Sequence, residues 1–245
     1  MKLRADYHTH TTYSDGKTSH EDNVKQAIKK GLQTIGISDH GWGHVFYGFK
    51  KDKLEEIKQE IKRLRAAYPM ITILLSVEAN ILGEDGELDL KEEDFKHFDM
   101  VLAGYHFGSR IRSPKDLRFH TINFLNSKLG LFKKQAMKQN TLALTRAMRR
   151  YNFQLLTHPG DKGAIDLLEV ARVAEETGIA LEINERHTYL TTEQLRTLKD
   201  MDLHFILSSD AHYIDHIGSV DEGLQRIKDS GIDLKKIVNV SEEDS

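Results

Sequence analysis

Short apolar runs rich in β-branched residues recur along the chain, at residues 3–7, 34–38, 71–77, 100–104, 153–157, 180–183 and 204–208. Most are separated by stretches in which apolar positions return with helical period, at 21–30, 53–68, 166–177 and 192–200. Strand and helix alternating through a whole chain predict a parallel sheet covered by helices. Seven strands, with a small eighth expected at 237–240, suit a closed or nearly closed α/β barrel. The polar positions strengthen this reading. His8, His40, Glu78, His106, His158, Asn184 and Asp210 each fall at or just beyond the C-terminal end of one expected strand. A barrel brings those ends together on one face, where active sites are built. A doubly wound open sheet would gather ligands mainly at one switch point.

Composition narrows the chemistry. The 245 residues are 39% hydrophobic with 17 glycines, an ordinary globular share that excludes a disordered chain. There is no internal repeat or low-complexity tract and there are only three prolines, so the expectation is one domain over 1–245. Without cysteine there is neither a disulfide framework nor a thiolate metal site, and any metal must be held by nitrogen and oxygen. Attention passes to the 13 histidines. No apolar run approaches the roughly 18 residues of a membrane span, and residues 1–10 carry charges where a signal peptide would be apolar. A cytoplasmic protein with no membrane partner is expected, and its oligomeric state stays open.

The net charge of −3 is unevenly spread. Residues 107–140 carry eight basic side chains (Arg110, Arg112, Lys115, Arg118, Lys128, Lys133, Lys134, Lys138) against one acid, Asp116, so the rest of the chain carries −10. Such a field favours anionic ligands. The segment follows His106 directly and is long for a connection, which reads as a basic insert or lid at about 107–140.

Two close pairs stand out, His8 with His10 and Asp210 with His212. An i,i+2 spacing at a strand end puts both side chains on one face, about 6.6 Å apart along the backbone, close enough to share a metal. Either pair alone is a weak signal. Asp15, His40, Glu78, His106 and His158 add to it, because burying so many ionisable groups at one rim without a metal would cost several kcal/mol.

The nine residues together, arranged as His-x-His, Ser-Asp-Gly, Asp-His-Gly, a glutamate after the third strand, single histidines after the fourth and fifth, and Ser-Asp-x-His, resemble the PHP (polymerase and histidinol phosphatase) superfamily along essentially the whole chain. The resemblance implies a distorted seven-stranded, TIM-like (β/α) barrel of parallel strands holding two to three divalent metals. It implies one metal on His8, His10, Glu78 and Asp210, a second on Asp15, His40 and His212, and a third on Glu78, His106 and His158, with Glu78 as the bridge. Six imidazoles and three carboxylates suit zinc, iron or manganese. Of the other histidines, His187 is the one expected near the rim, and Asp39 is expected to orient His40.

The implied activity is a metal-dependent phosphoesterase, a phosphatase acting on a small phosphorylated substrate with metal-bound hydroxide as nucleophile. Catalysis would rest on Glu78, Asp210, His212 and Arg186. Arg110, Arg112 and Arg186 would clamp the phosphate. Alternatives are a histidinol-phosphate phosphatase, or a nuclease or phosphodiesterase on short oligonucleotides, whose bases could stack on Phe107, Phe119, Phe124 and Phe132. An amidohydrolase-type metal hydrolase is the weaker rival, because it leaves Asp15, His40 and Glu78 without roles.

Overall fold

The computed structural model describes residues 1–242. Within them, seven parallel strands run in chain order: β2 (Ala5–Thr9), β3 (Thr34–Ile37), β4 (Thr72–Asn80), β5 (Met100–Gly104), β6 (Leu155–Leu156), β7 (Ala180–Asn184) and β8 (Phe205–Ser208). Each pairs with the next in parallel. The ring is nearly closed where Thr9 bridges Ala211 in parallel and His10 N–H donates to the Ala211 carbonyl at 2.8 Å. Asp6 fastens the same seam. Its fully buried carboxylate accepts from the Ser209 hydroxyl at 2.5 Å, from Ser209 N–H at 3.2 Å and from Gly218 N–H at 2.9 Å.

The expected strands are all present, some shortened and some extended. The first run divides into β1 (Lys2–Leu3) and β2, and β4 runs on to Asn80, so Glu78 lies inside the strand rather than at its end. The eighth run differs in kind. Residues Val240–Ser241 form β9, which pairs antiparallel with β1 in a separate two-stranded ribbon, while the preceding residues meet the barrel sheet: Ile237 bridges Phe205, Val238 N–H donates to the Phe205 carbonyl at 2.9 Å, and the Asn239 side chain bonds Leu207 and Ala5.

The helices α1 (His20–Lys29), α2 (Leu54–Ala67), α5 (Leu167–Thr177) and α6 (Thr192–Leu198) lie where the helical period predicts them. Three more were not foreseen: α3 (Pro114–Leu129), α4 (Lys133–Arg150) and α7 (Asp221–Ser230). The basic segment is therefore built largely of α3 and the start of α4, joined by a turn at Gly130.

Alternation along the strands sorts the apolar residues into two sets. Val101, Ala103, Leu156, Leu181, Ile183, Phe205 and Leu207 join the large core beneath the helices. Met100, Leu102, Leu155, Ala180 and Ile206 form a small inner set. Two residues further along that inner face the strands turn polar: Thr157 follows Leu155, Glu182 follows Ala180, and Ser208 follows Ile206, all buried. The barrel is thus plugged by apolar side chains below and lined by polar ones toward the C-terminal ends.

Candidate metal centre

All nine residues read from the sequence converge at that end. His8 and His10 leave β2 with their Nε2 atoms 3.0 Å apart. Asp210 Oδ1 lies 3.3 Å from His10 Nε2 and 3.7 Å from His8 Nε2, giving one compact group of donors. A second group is His10, Asp15, His40 and His212, with Asp15 Oδ2 3.1 Å from His212 Nε2 and Oδ1 3.6 Å from His40 Nε2. Around Glu78 is a third. Its Oε1 lies 3.0 Å from His158 Nε2 and 3.2 Å from His106 Nε2.

Glu78 joins the groups. While Oε1 faces His106 and His158, Oε2 lies 3.0 Å from His40 Nδ1, 3.3 Å from His8 Nε2 and 3.7 Å from His10 Nε2. Glu78 Oε2 and His40 Nδ1 are buried with no hydrogen-bond partner. Unpaired buried donors and acceptors are costly, and paired imidazole nitrogens aimed at one another add to that cost. A divalent cation satisfies both at once, so the donor set fits divalent metals.

The electrostatics agree. Burial raises the cost of charging Glu78, yet His106, His8 and His40 hold its carboxyl well below the ordinary range. Asp210 is likewise held well below its usual value, against burial, by His8 and His10. Burial, and then the neighbouring His40, push His10 down to about 4. Burial pushes His106 down to about 3. His8 and His40 go the other way: against the cost of burial, Glu78 and the other carboxylates near them raise both rings, so a cation entering the site would replace protons on these two as it takes their nitrogens.

Supporting side chains fix these donors. Glu182, fully buried, takes His8 Nδ1 at 2.7 Å and the His158 backbone N–H at 2.6 Å. With Nδ1 occupied, His8 presents Nε2 to the site. Asn80 holds His106 Nδ1 at 2.9 Å, and the Thr157 hydroxyl donates to Glu78 Oε1 at 2.7 Å. Gly104 leaves the room they need, because a Cβ there would collide with Thr157 Oγ1 and come within 3.1 Å of the His158 ring. His158 (φ 29°) and Asp210 (φ 51°) sit in the left-handed region that side chains other than glycine avoid.

Other expectations resolve differently. The Asp39 carboxylate is directed to partners other than the His40 ring. It accepts from Thr11 N–H at 2.7 Å, the Thr11 hydroxyl at 2.6 Å and the Ser14 hydroxyl at 2.5 Å, and so shapes the loop that carries Asp15. Arg112 is turned away from the cluster and held by Asp85, Glu87 and Asp116 at 2.7–3.0 Å. Arg110 is exposed, with its backbone N–H on the Gly43 carbonyl. Arg186 does reach the site. Its Nη1 lies 2.6 Å from His212 Nδ1, and it lines the cavity above the cluster together with Lys162, His187, His44, Tyr47 and Phe107. His187 bridges Asp161 Oδ1 (3.1 Å) and Asp210 Oδ2 (3.3 Å). Phe119 is buried in the core and cannot stack a base.

A family model, the PHP domain, matches residues 6–187. The chain belongs to the PHP domain family. Among similar proteins, one named "Probable phosphatase" from Thermoanaerobacter sp. (strain X514) is 30% identical over 98% of this chain and 91% of its own length. The DNA polymerase/3'-5' exonuclease PolX of Bacillus subtilis (strain 168) is 27% identical over 97% of this chain, which spans 39% of that protein. In fold, the chain is similar to a histidinol phosphate phosphatase from Lactococcus lactis solved with zinc, L-histidinol and phosphate, with a TM-score of 0.66, 20% identity and 95% of each chain covered. No helix among the described residues is long and apolar enough to cross a membrane.

Proposed function

We propose that this PHP protein is a metal-dependent phosphatase of small phosphomonoesters, with two to three zinc, iron or manganese ions held by the nine residues. The observation that carries the reading is Glu78: one fully buried carboxylate, each oxygen facing a different set of histidines. His8, His10 and Asp210 would hold one ion, and Asp15, His40 and His212 a second. His106 and His158 would hold a third, with Glu78 reaching across. Bound divalent metals lower the pKa of water and offset the charge on a phosphate ester.

The chain's own groups do the rest. Arg186, at the cavity wall and in contact with His212, offers its guanidinium to phosphate oxygens, and Lys162 adds a second cation. Asp210 and His212 fix the floor on which the phosphate rests. Histidinol phosphate is one member of the substrate class to be tried. The basic segment gives the oligonucleotide reading less support than its charge suggests, because Arg112 is spent on three carboxylates and Phe119 is buried.

The test is a panel of phosphomonoesters assayed with manganese, zinc or iron, with elemental analysis alongside. Two to three equivalents of metal are expected per chain. Glu78→Gln should lose metal and lower turnover by at least about a hundredfold, because an amide cannot supply the anionic bridge. Full turnover by Glu78→Gln, or less than one equivalent in the reconstituted protein, would refute the reading.

A further inference from the structure

The chain doubles back at the end of β4. Ile81 bridges Leu88 antiparallel, and Asp89 N–H donates to the Asn80 carbonyl at 3.0 Å. The return sets an acid outside the nine, Asp89, against the last residue of the strand that carries Glu78, and both Asn80 and Asp89 are buried. Asp89 Oδ1 accepts from Asn80 N–H at 2.8 Å, and its Oδ2 accepts from Asn80 Nδ2 at 2.7 Å and from Gly43 N–H at 2.8 Å. Burial pushes its carboxyl up to about 6, although the three N–H donors pull against that shift. The approach is close. A Cβ on Gly41 would come within 2.6 Å of Asp89 Oδ2, and one on Gly43 would collide with the Asp89 Cβ.

A side-chain amide has an accepting end and a donating end, and the surroundings of Asn80 admit one orientation. Its Nδ2 lies between Asp89 Oδ2 and the Gly41 carbonyl (3.4 Å), both of which only accept. Its Oδ1 therefore faces His106 Nδ1 at 2.9 Å. That ring nitrogen must then carry a proton, which leaves Nε2, 3.2 Å from Glu78 Oε1, as the nitrogen free to give its lone pair to a cation. Glu182 takes His8 Nδ1 directly, whereas Asp89 acts on His106 through an intervening amide.

We propose that Asp89 is a positioning residue of the metal centre: by holding the Asn80 amide in one orientation, it fixes which ring nitrogen His106 presents to the cluster. That the presented nitrogen binds metal rests on the metal-dependent reading given above. An amide at position 89 keeps the size of the side chain but puts a donor where donors converge. Asn80 is relieved by turning over, its Nδ2 then meets His106 Nδ1, and the ring proton moves to Nε2, closing the nitrogen meant for the cation.

Nitrogen-15 spectra of the zinc-loaded full chain read the ring proton, with His106 assigned by its loss in His106→Gln. In the wild type the proton is expected on Nδ1, and the Asn80 side-chain amide should show proton contacts to Gly43 N–H rather than to the His106 ring. Asp89→Asn should move those contacts to the ring, move the proton to Nε2 and weaken one of the bound zinc ions about ten- to a hundredfold, leaving the others unchanged. The exchanged pair Asn80→Asp with Asp89→Asn puts the carboxylate next to His106, so the Nδ1 proton should return and the zinc affinity should recover to within about threefold of wild type. A role confined to anchoring the Gly43 loop would not recover, because Gly43 N–H has lost its carboxylate in both variants. A wild-type proton on Nε2, which no variant needs to fold to reveal, would overturn the proposal. So would an Asp89→Asn protein with Asn80 and the ring unchanged, or an exchanged pair without recovery. The expected Asn80 contacts in a chain that binds no zinc, manganese or iron would retain the link from Asp89 to His106 and discard the metal-dependent reading.

Discussion

Arg112 and Arg186 carry the same charge and were expected to share one task, yet their neighbours separate them. Arg112 faces Asp85, Glu87 and Asp116, whereas Arg186 faces His212. No pattern of residue types distinguishes the two in advance, because the acids around Arg112 come from a loop some 27 residues earlier and from the first turn of α3. Arg112→Ala is therefore expected to lower stability by about 1–2 kcal/mol, chiefly by stranding the buried Asp116, and to leave phosphate-ester turnover unchanged. Chemical denaturation and a kinetic assay check the two halves. The pH dependence has a definite sign. Burial alone would raise the Asp116 pKa, but Arg112 holds it below the ordinary 3.8. Its contribution is complete above the unfolded value and is lost as pH falls through the lower folded one, so the gap between wild type and variant should narrow in acid. Glu182 was more legible than the sequence reading allowed. It stands in Leu-Glu-Ile-Asn as Glu78 stands in Val-Glu-Ala-Asn, a lone acid in a buried strand, and such an acid needs partners.

At the scale of elements, hydrophobic period recovered the strands and the helices α1, α2, α5 and α6. It missed α4 and α7, and it failed for α3. That helix buries Phe119 and Ile122 yet exposes Leu117 and Phe124, so no single stripe marks it. Its ends were readable all the same. Ser113 caps the first turn by accepting from Asp116 N–H, Pro114 follows at the first helical position, and Gly130 closes the helix at φ 68°. Part of what binds α3 to α4 is polar. Asn123 donates to Asn140 at 2.8 Å, Gln139 donates to the Phe119 carbonyl at 2.9 Å, and Asn140 donates to the Ala164 carbonyl at 3.1 Å. Asn140→Ala should cost about 1–3 kcal/mol and should loosen the pair locally. Hydrogen exchange is expected to quicken in α3 and the 160–165 loop, while β4 and β5 keep their protection.

For the molecule as a whole, the barrel and the convergence of the nine residues were readable because those residues lie at or near strand ends, where sequence position and spatial position coincide. The seam was not, since Asp6 meets Ser209 and Gly218 only across the closed ring. Four carboxylates, Asp15, Glu78, Glu182 and Asp210, crowd the same end of the barrel. Removing metal should therefore be felt globally. At a free metal concentration near a hundred times Kd, binding contributes about 2.7 kcal/mol, or roughly 5–10 °C in a chain of this size. Thermal melts with chelator and with graded metal are expected to show that shift, and a melting temperature indifferent to metal would contradict it. The ribbon of β1 and β9 has a different consequence. Because Lys2 lies opposite Ser241 and Leu3 opposite Val240, the beginning and end of the barrel are already neighbours. The order in which the strands are synthesised is then largely immaterial to the finished ring. A chain rearranged to start at Leu131, with β9 joined to β1 by a short linker, would interrupt only the exposed turn between α3 and α4 and would keep whole every strand that carries a residue of the cluster.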